Sequence, residues 1–160
     1  MPKLNDEAEE DMSDTPYDEA KVVDSPTDWV SSHIQKYVQT EGADGHDFRS
    51  GAPILLLTVL GRKSRVWRRT ALIYGQAGDA YVVVASKGGA PTHPAWYGNL
   101  VAHPEVHVQV KGAKFEARAR VAAGPEREKL WKLMAGIWPD YDAYQAHTDR
   151  EIPVVVLDAV

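Results

Sequence analysis

Five cations fall within eight residues: Arg62, Lys63, Arg65, Arg68 and Arg69, in the segment Gly61-Arg62-Lys63-Ser64-Arg65-Val66-Trp67-Arg68-Arg69-Thr70. Guanidinium and ammonium groups beside a hydroxyl and free backbone N–H groups can hold an anion, phosphate above all, through charge-assisted hydrogen bonds. The spacing is not that of a Walker loop, because no Gly-x-x-x-x-Gly-Lys occurs. On spacing alone the segment also reads as a solvated basic hairpin. Nucleic acid is not an expected partner, since the cluster is short and isolated.

A second segment, Ala85-Ser86-Lys87-Gly88-Gly89-Ala90-Pro91-Thr92-His93-Pro94, carries two glycines that let backbone approach a flat ligand closely. Ser86 and Lys87 there could hydrogen-bond the carbonyls of a heterocycle, although an ordinary strand-to-helix loop has the same composition. Trp96-Tyr97-Gly98-Asn99-Leu100 follows, with aromatics that suit a core or a cofactor and an asparagine able to satisfy backbone or ligand groups. Further on, Tyr141, Tyr144 and His147 recur every third residue and share a face if their segment is helical. Two phenols and an imidazole can stack on planar rings and donate protons, or serve as core residues with buried partners for their polar tips.

The six histidines are His33, His46, His93, His103, His107 and His147. None pairs at the spacing of a helical zinc site, so no metal is assigned. No Gly-x-Ser-x-Gly elbow is present, and without cysteine the chain has no thiolate nucleophile.

These residues need elements to position them. Ser25-Pro26-Thr27-Asp28 reads as a helix start, with Ser25 as N-cap and Pro26 at the first helical position. Trp29, His33 and Tyr37, with Val30, Ile34 and Val38, then give an apolar face to a helix over about residues 29–40, ending near Gly42. From residue 53 the period changes. Strands are expected at 54–60, 70–76, 80–85, 106–110, 115–121 and 152–157, with Ala77-Gly78-Asp79 and Lys111-Gly112 as turns. A short helix follows Pro94, and a longer one runs from Glu126 to about Trp138. The pattern predicts an α+β fold of about six mostly antiparallel strands in a barrel-like sheet with flanking helices.

The chain of 160 residues fits one domain. Its net charge of −5 is unevenly spread. Residues 1–20 hold eight acids and one base, which is −7 and leaves +2 for the rest. An acidic tail over 1–20, expected to be disordered, thus precedes a slightly basic body over 21–160. The longest apolar runs, Ala52–Leu57 and Ile152–Leu157, fall short of the roughly 20 residues that span a bilayer. With no signal peptide visible, a cytoplasmic protein without an integral membrane span is expected, and contact with the inner membrane face is left open.

Taken in order, GRKS with Arg68 four residues after the serine, VVVASKGGAPTHPAWYGNL followed by HPEV, and WPDYDAYQAHTDREIPVVVL resemble the deazaflavin-dependent nitroreductase and quinone reductase family of actinobacteria. The resemblance covers residues 61–157. It implies a split β-barrel of the FMN-binding type, the cofactor coenzyme F420, and hydride transfer to a quinone, nitro compound or unsaturated lactone. By position it implies that Arg62, Lys63, Ser64, Arg68 and Arg69 hold the cofactor's phosphate and acidic tail. Thr70, Ala71, Leu72 and Ile73 would border the ring, with Val84, Ala85, Ser86 and Lys87 along its edge. Ala95, Trp96, Tyr97, Gly98 and Asn99 would close the site. Tyr141, Tyr144 and His147 would face the acceptor, with Tyr141, Tyr144 or Ser86 as the proton source. The family commonly has glycine at position 65 and proline at position 71, where this chain has Arg65 and Ala71. An FMN-dependent reductase of the same barrel type and a non-catalytic deazaflavin carrier are the alternatives, and a homodimer is left open.

Overall fold

A computed structural model describes residues 15–160. Eight strands form one sheet: β1 (Val23–Asp24), β2 (Ile54–Leu60), β3 (Trp67–Ile73), β4 (Gly75–Ala77), β5 (Ala80–Val84), β6 (Glu105–Val110), β7 (Ala113–Val121) and β8 (Val154–Ala159). The helices are α1 (Asp28–Thr40), α2 (Ala95–Ala102), α3 (Gly124–Ile137) and α4 (Asp140–Ala146). The strand order is β1-β3-β2-β6-β7-β8-β5-β4, all antiparallel except for β1 on β3. The fold is α+β as expected, but the sheet has eight strands where about six were expected, and its end strands do not pair with each other.

β2 lies near the middle of the order and explains why its seven residues read as one apolar run. Every residue from Ile54 to Leu60 is buried because both faces are covered. Ile54 and Leu56 pack under Ile34 and Tyr37 of α1. Leu55, Leu57 and Val59 turn the other way and meet Val83, Val106, Val108, Val155 and Leu157 from β5, β6 and β8. Residues of distant strands meet in that second cluster, so the sheet is rolled. A third cluster lies under α3 and α4, where Leu130, Met134 and Tyr141 cover Val82, Val84, Val154 and Val156. Each fully buried leucine contributes about 1.5–3 kcal/mol relative to exposure, so stability resides in these clusters.

Several boundaries differ from the sequence reading. α1 begins at Asp28 with Thr27, not Ser25, at the N-cap. The Ser25 hydroxyl instead accepts the Thr27 N–H at 3.4 Å, which forms a turn ahead of the helix. α1 ends at Thr40, and the C-cap Glu41 takes a left-handed φ of 51°. β3 starts at Trp67, because Arg68 and Arg69 are ladder residues opposite Val59 and Thr58. The ladder breaks at Tyr74, whose N–H donates to the Pro53 carbonyl. β8 begins at Val154, since Pro153 has no N–H to give a ladder.

The expected disordered tail lies outside the described residues as far as residue 14. From Thr15 the chain is laid on the body. Tyr17 stacks on His107 with ring centroids 3.5 Å apart and meets Trp67 edge-on at 5.4 Å. The Trp67 indole N–H donates to the Thr15 carbonyl at 3.0 Å, and Glu19 pairs with Lys114 at 3.0 Å. Among the described residues no helix is long and apolar enough to cross a membrane.

Candidate functional site

A cleft of about 720 Å³ opens where β3 and the end of β5 face α2, α4 and the start of α1. β3 supplies Thr70, Ala71, Leu72 and Ile73, and the β5 end supplies Val84, Ser86 and Lys87. α2 adds Ala95 and Trp96, and α4 adds Tyr141 and Tyr144. Residues far apart in sequence thus come together in one cleft. β3 and β5 are near in space but not hydrogen-bonded, and the cleft lies along that gap.

The cleft also has a wall that sequence reasoning missed. Ser25, Pro26 and Thr27 line it, as do Trp29 and His33 of α1, Phe48 and Trp138. Trp29 and Phe48 stack with centroids 6.4 Å apart, and Phe48 meets Trp138 at 5.9 Å. The apolar face of α1 reads as core in the sequence. Only Ile34 and Tyr37 are buried there, while Trp29 is 64% exposed, a large apolar surface free to meet a ligand.

The basic segment forms the turn between β2 and β3, closed by Gly61 N–H to Val66 O at 2.8 Å. A recess of about 160 Å³ lined by Arg68, Arg69 and Asn99 shares Thr70, Ala95 and Trp96 with the main cleft. A bound molecule can therefore run from the cleft toward the cations without crossing the core. The cations have different duties. Arg69 donates to Asp24 at 2.6 Å, with both side chains nearly covered, so its charge is engaged in tying β1 to β3. Arg62 lies over α2: its backbone N–H and its guanidinium both donate to Asn99 Oδ1, at 3.1 and 2.7 Å. Gly98 admits it, since a Cβ there would stand 2.8 Å from Arg62 Nη1. Lys63, Arg65 and Arg68 make no ion pair among the described residues. Ser64 Oγ accepts the Val66 N–H at 3.3 Å, which shapes the turn.

The two departures from the family pattern acquire physical meaning. Arg65 has a φ of 59°, the left-handed region that favours glycine. A side chain there costs about 1–2 kcal/mol. Ala71 sits in the ladder opposite Leu56, where alanine, unlike proline, carries an N–H donor.

Ser86 and Lys87 open a turn in which Lys87, Gly88 and Gly89 all have positive φ. The turn packs on α4 so closely that a Cβ on Gly89 would stand 2.7 Å from the Tyr144 carbonyl oxygen. Ala85 is fully buried and lines no part of the cleft. Tyr97 points to His93, with ring centroids 4.8 Å apart. α4 presents Tyr141 and Tyr144 edge to face at 6.1 Å. Burial, with a smaller contribution from Tyr144, pushes the Tyr141 phenol well above its usual range, so it keeps its proton at neutral pH. His147 caps the end of α4, is exposed and does not reach the cleft.

Residues 29–159 match the family described as F420H(2)-dependent quinone reductase. The F420H(2)-dependent quinone reductase Rv1261c of Mycobacterium tuberculosis is 41% identical over 128 residues, 78% of this chain and 86% of that one. A solved F420-H2 dependent reductase, FDR-A, is 43% identical with a TM-score of 0.63, covering 66% of this chain and 94% of its own. A chain solved as a domain-swapped dimer is 40% identical with a TM-score of 0.65, covering 84% of this chain and 100% of its own.

Proposed function

We propose, from the premise that the chain belongs to the F420H(2)-dependent quinone reductase family, that it is an oxidoreductase passing hydride from reduced coenzyme F420 to a quinone in the β3–β5 cleft. Nitro compounds and enones are further acceptors of the same planar, activated kind. The observation that carries the reading is the continuity of the apolar cleft with the recess beside the basic turn. A planar ring fits the first, and an anionic tail fits the second.

The residues fit that cofactor. Lys63 and Arg68, without ion-pair partners among the described residues, would hold the phosphate and acidic tail. Arg62, pinned by Asn99, would hold the turn at the height of α2. Thr70, Ala71, Leu72 and Ile73 would border the ring, with Ser86 and Lys87 at its edge and Trp96 closing the site. The bound reduced cofactor supplies the hydride; the protein binds, orients and excludes water. Trp29, Phe48 and Trp138 would offer the acceptor an aromatic wall beside the phenols. Ser86 Oγ, Tyr141 Oη and Tyr144 Oη are the candidate positions for the proton that completes reduction. The unpaired approach of β3 and β5 in an open eight-stranded sheet supports reading the fold as a split barrel. A homodimer belongs to the same reading, supported by the domain-swapped dimer of a 40% identical chain. Fluorescence titration with coenzyme F420 and, separately, FMN tests the cofactor. Tight binding of FMN with none of coenzyme F420 overturns the reading.

A further inference from the structure

Arg150 lies outside the cleft, yet it touches both segments that form the cleft's edge. Its Nη2 donates to the Ser86 carbonyl at 2.6 Å, its Nη1 to the Ala85 carbonyl at 3.2 Å, and its Nε to the Ala90 carbonyl at 2.7 Å. The same Nη1 lies 2.8 Å from His93 Nδ1, which must accept, because a guanidinium has only donors. His93 stands on the loop that leads through Pro94 into Ala95 and Trp96, both cleft residues. No carboxylate pairs with Arg150 among the described residues. Its donors are thus directed at backbone carbonyls rather than at an opposing charge.

The turn that Arg150 grips needs such support. Lys87, Gly88 and Gly89 are in the left-handed region and contribute no strand ladder. Its own bonds are two short-range ones, Gly89 N–H to Ser86 O and Ala90 N–H to Lys87 O. Gly89 also abuts the backbone of Tyr144, so the turn is packed directly against α4. Only a planar fork with several N–H donors can meet three carbonyls and an imidazole nitrogen at once.

We infer that Arg150 is a positioning residue for the reductase reaction: it fixes the Ser86–Ala90 turn and the His93 loop against each other, and so sets the cofactor-edge contacts of Ser86 and Lys87. This rests on the coenzyme F420 reading of the cleft. Lysine keeps the charge but reaches fewer of the acceptors, so charge and geometry separate in Arg150→Lys.

The test measures melting, affinity for coenzyme F420 by fluorescence, and menadione reduction by the reduced cofactor in wild type, Arg150→Lys and Arg150→Ala. Arg150→Lys should stay folded, bind the cofactor at least about fivefold more weakly and raise its KM in step, with kcat at saturation within about twofold. Arg150→Ala should bind more weakly still. A merely structural role predicts a lower melting temperature with unchanged affinity and KM per folded molecule, and that result overturns the assignment. Unchanged affinity in a folded Arg150→Lys overturns it as well. Absence of coenzyme F420 binding in wild type overturns the cofactor reading and the assignment together.

Discussion

The side-chain oxygen of Asn99 accepts two hydrogen bonds from Arg62, one from its backbone N–H at 3.1 Å and one from its guanidinium at 2.7 Å. Asn99 is 7% exposed, so the shared acceptor is held largely out of water, whereas Arg62 itself is exposed. Through them the turn that carries the cations is clamped to the helix that carries Trp96. Asn99→Ala should therefore lower the melting temperature modestly and weaken coenzyme F420 binding. Asn99→Asp keeps the acceptor and adds a negative charge beside the anion path. It should recover the melting temperature while binding stays weak, as thermal melts and titrations on both variants would show.

The cations without ion-pair partners among the described residues should act on affinity alone. Replacing Lys63 and Arg68 together by alanine removes two exposed charges that the fold does not use. Affinity for coenzyme F420 should fall at least about tenfold, since each bond to a charged group contributes roughly 1.5–3 kcal/mol. Added salt should weaken binding in wild type more than in the double variant. Equal affinities at low salt would return the turn to a solvated hairpin.

That turn also shows what the sequence could and could not reveal. The cations stand out in any reading, and so does the buried run of β2, because both signals are local. Their separate duties are not local. Nothing near Arg69 predicts that Asp24, 45 residues earlier, engages it across a two-residue strand too short for a periodic pattern. β3 lies three residues earlier than the expected 70–76, because Arg68 and Arg69 look like loop residues although each occupies a ladder position. The grip of Arg150 on Ala85, Ser86 and Ala90 is likewise invisible before the chain is folded. The spacing of Tyr141 and Tyr144 puts both phenols on the cleft, whereas His147, six residues from Tyr141, has rotated off that face and is exposed.

The segment from Thr15 should contribute stability. Tyr17→Ala removes the stack on His107 and the edge contact with Trp67, and aromatic pairs contribute about 0.5–1.5 kcal/mol beyond area burial. Melting temperature should fall while turnover per folded molecule stays near wild type. The stack has a pH signature as well. Burial holds the His107 pKa below its ordinary value of 6.5, and Glu116 only partly opposes this. Well above that ordinary value, neither state is protonated at this site. As pH falls through it toward the lowered folded value, the unfolded chain takes a proton that the folded chain refuses, so stability declines. Below the folded value the loss levels off. Melting curves between about pH 7.5 and about pH 5 should show a steeper loss in wild type than in His107→Gln. Equal slopes would show that the ring titrates freely under Tyr17.

The phenols should matter to chemistry more than to cofactor binding. The double variant Tyr141→Phe with Tyr144→Phe keeps the stacking surface and removes two proton donors. Near-normal affinity for coenzyme F420 with slow acceptor reduction is expected, because the anion is held at the other end of the cleft. Tyr141 is 5% exposed, and a purely core role predicts instead normal turnover per folded molecule in the double variant. Melting, titration and turnover on the same preparation separate the two.

The most direct measurement of the central claim is the oxidation of reduced coenzyme F420 by menadione in the presence of the purified chain, followed at the cofactor's own absorbance. The account predicts protein-dependent oxidation that saturates in both cofactor and quinone, with turnover on the order of 1 per second or faster. A folded protein that binds the reduced cofactor yet leaves its oxidation by menadione at the protein-free rate would contradict it.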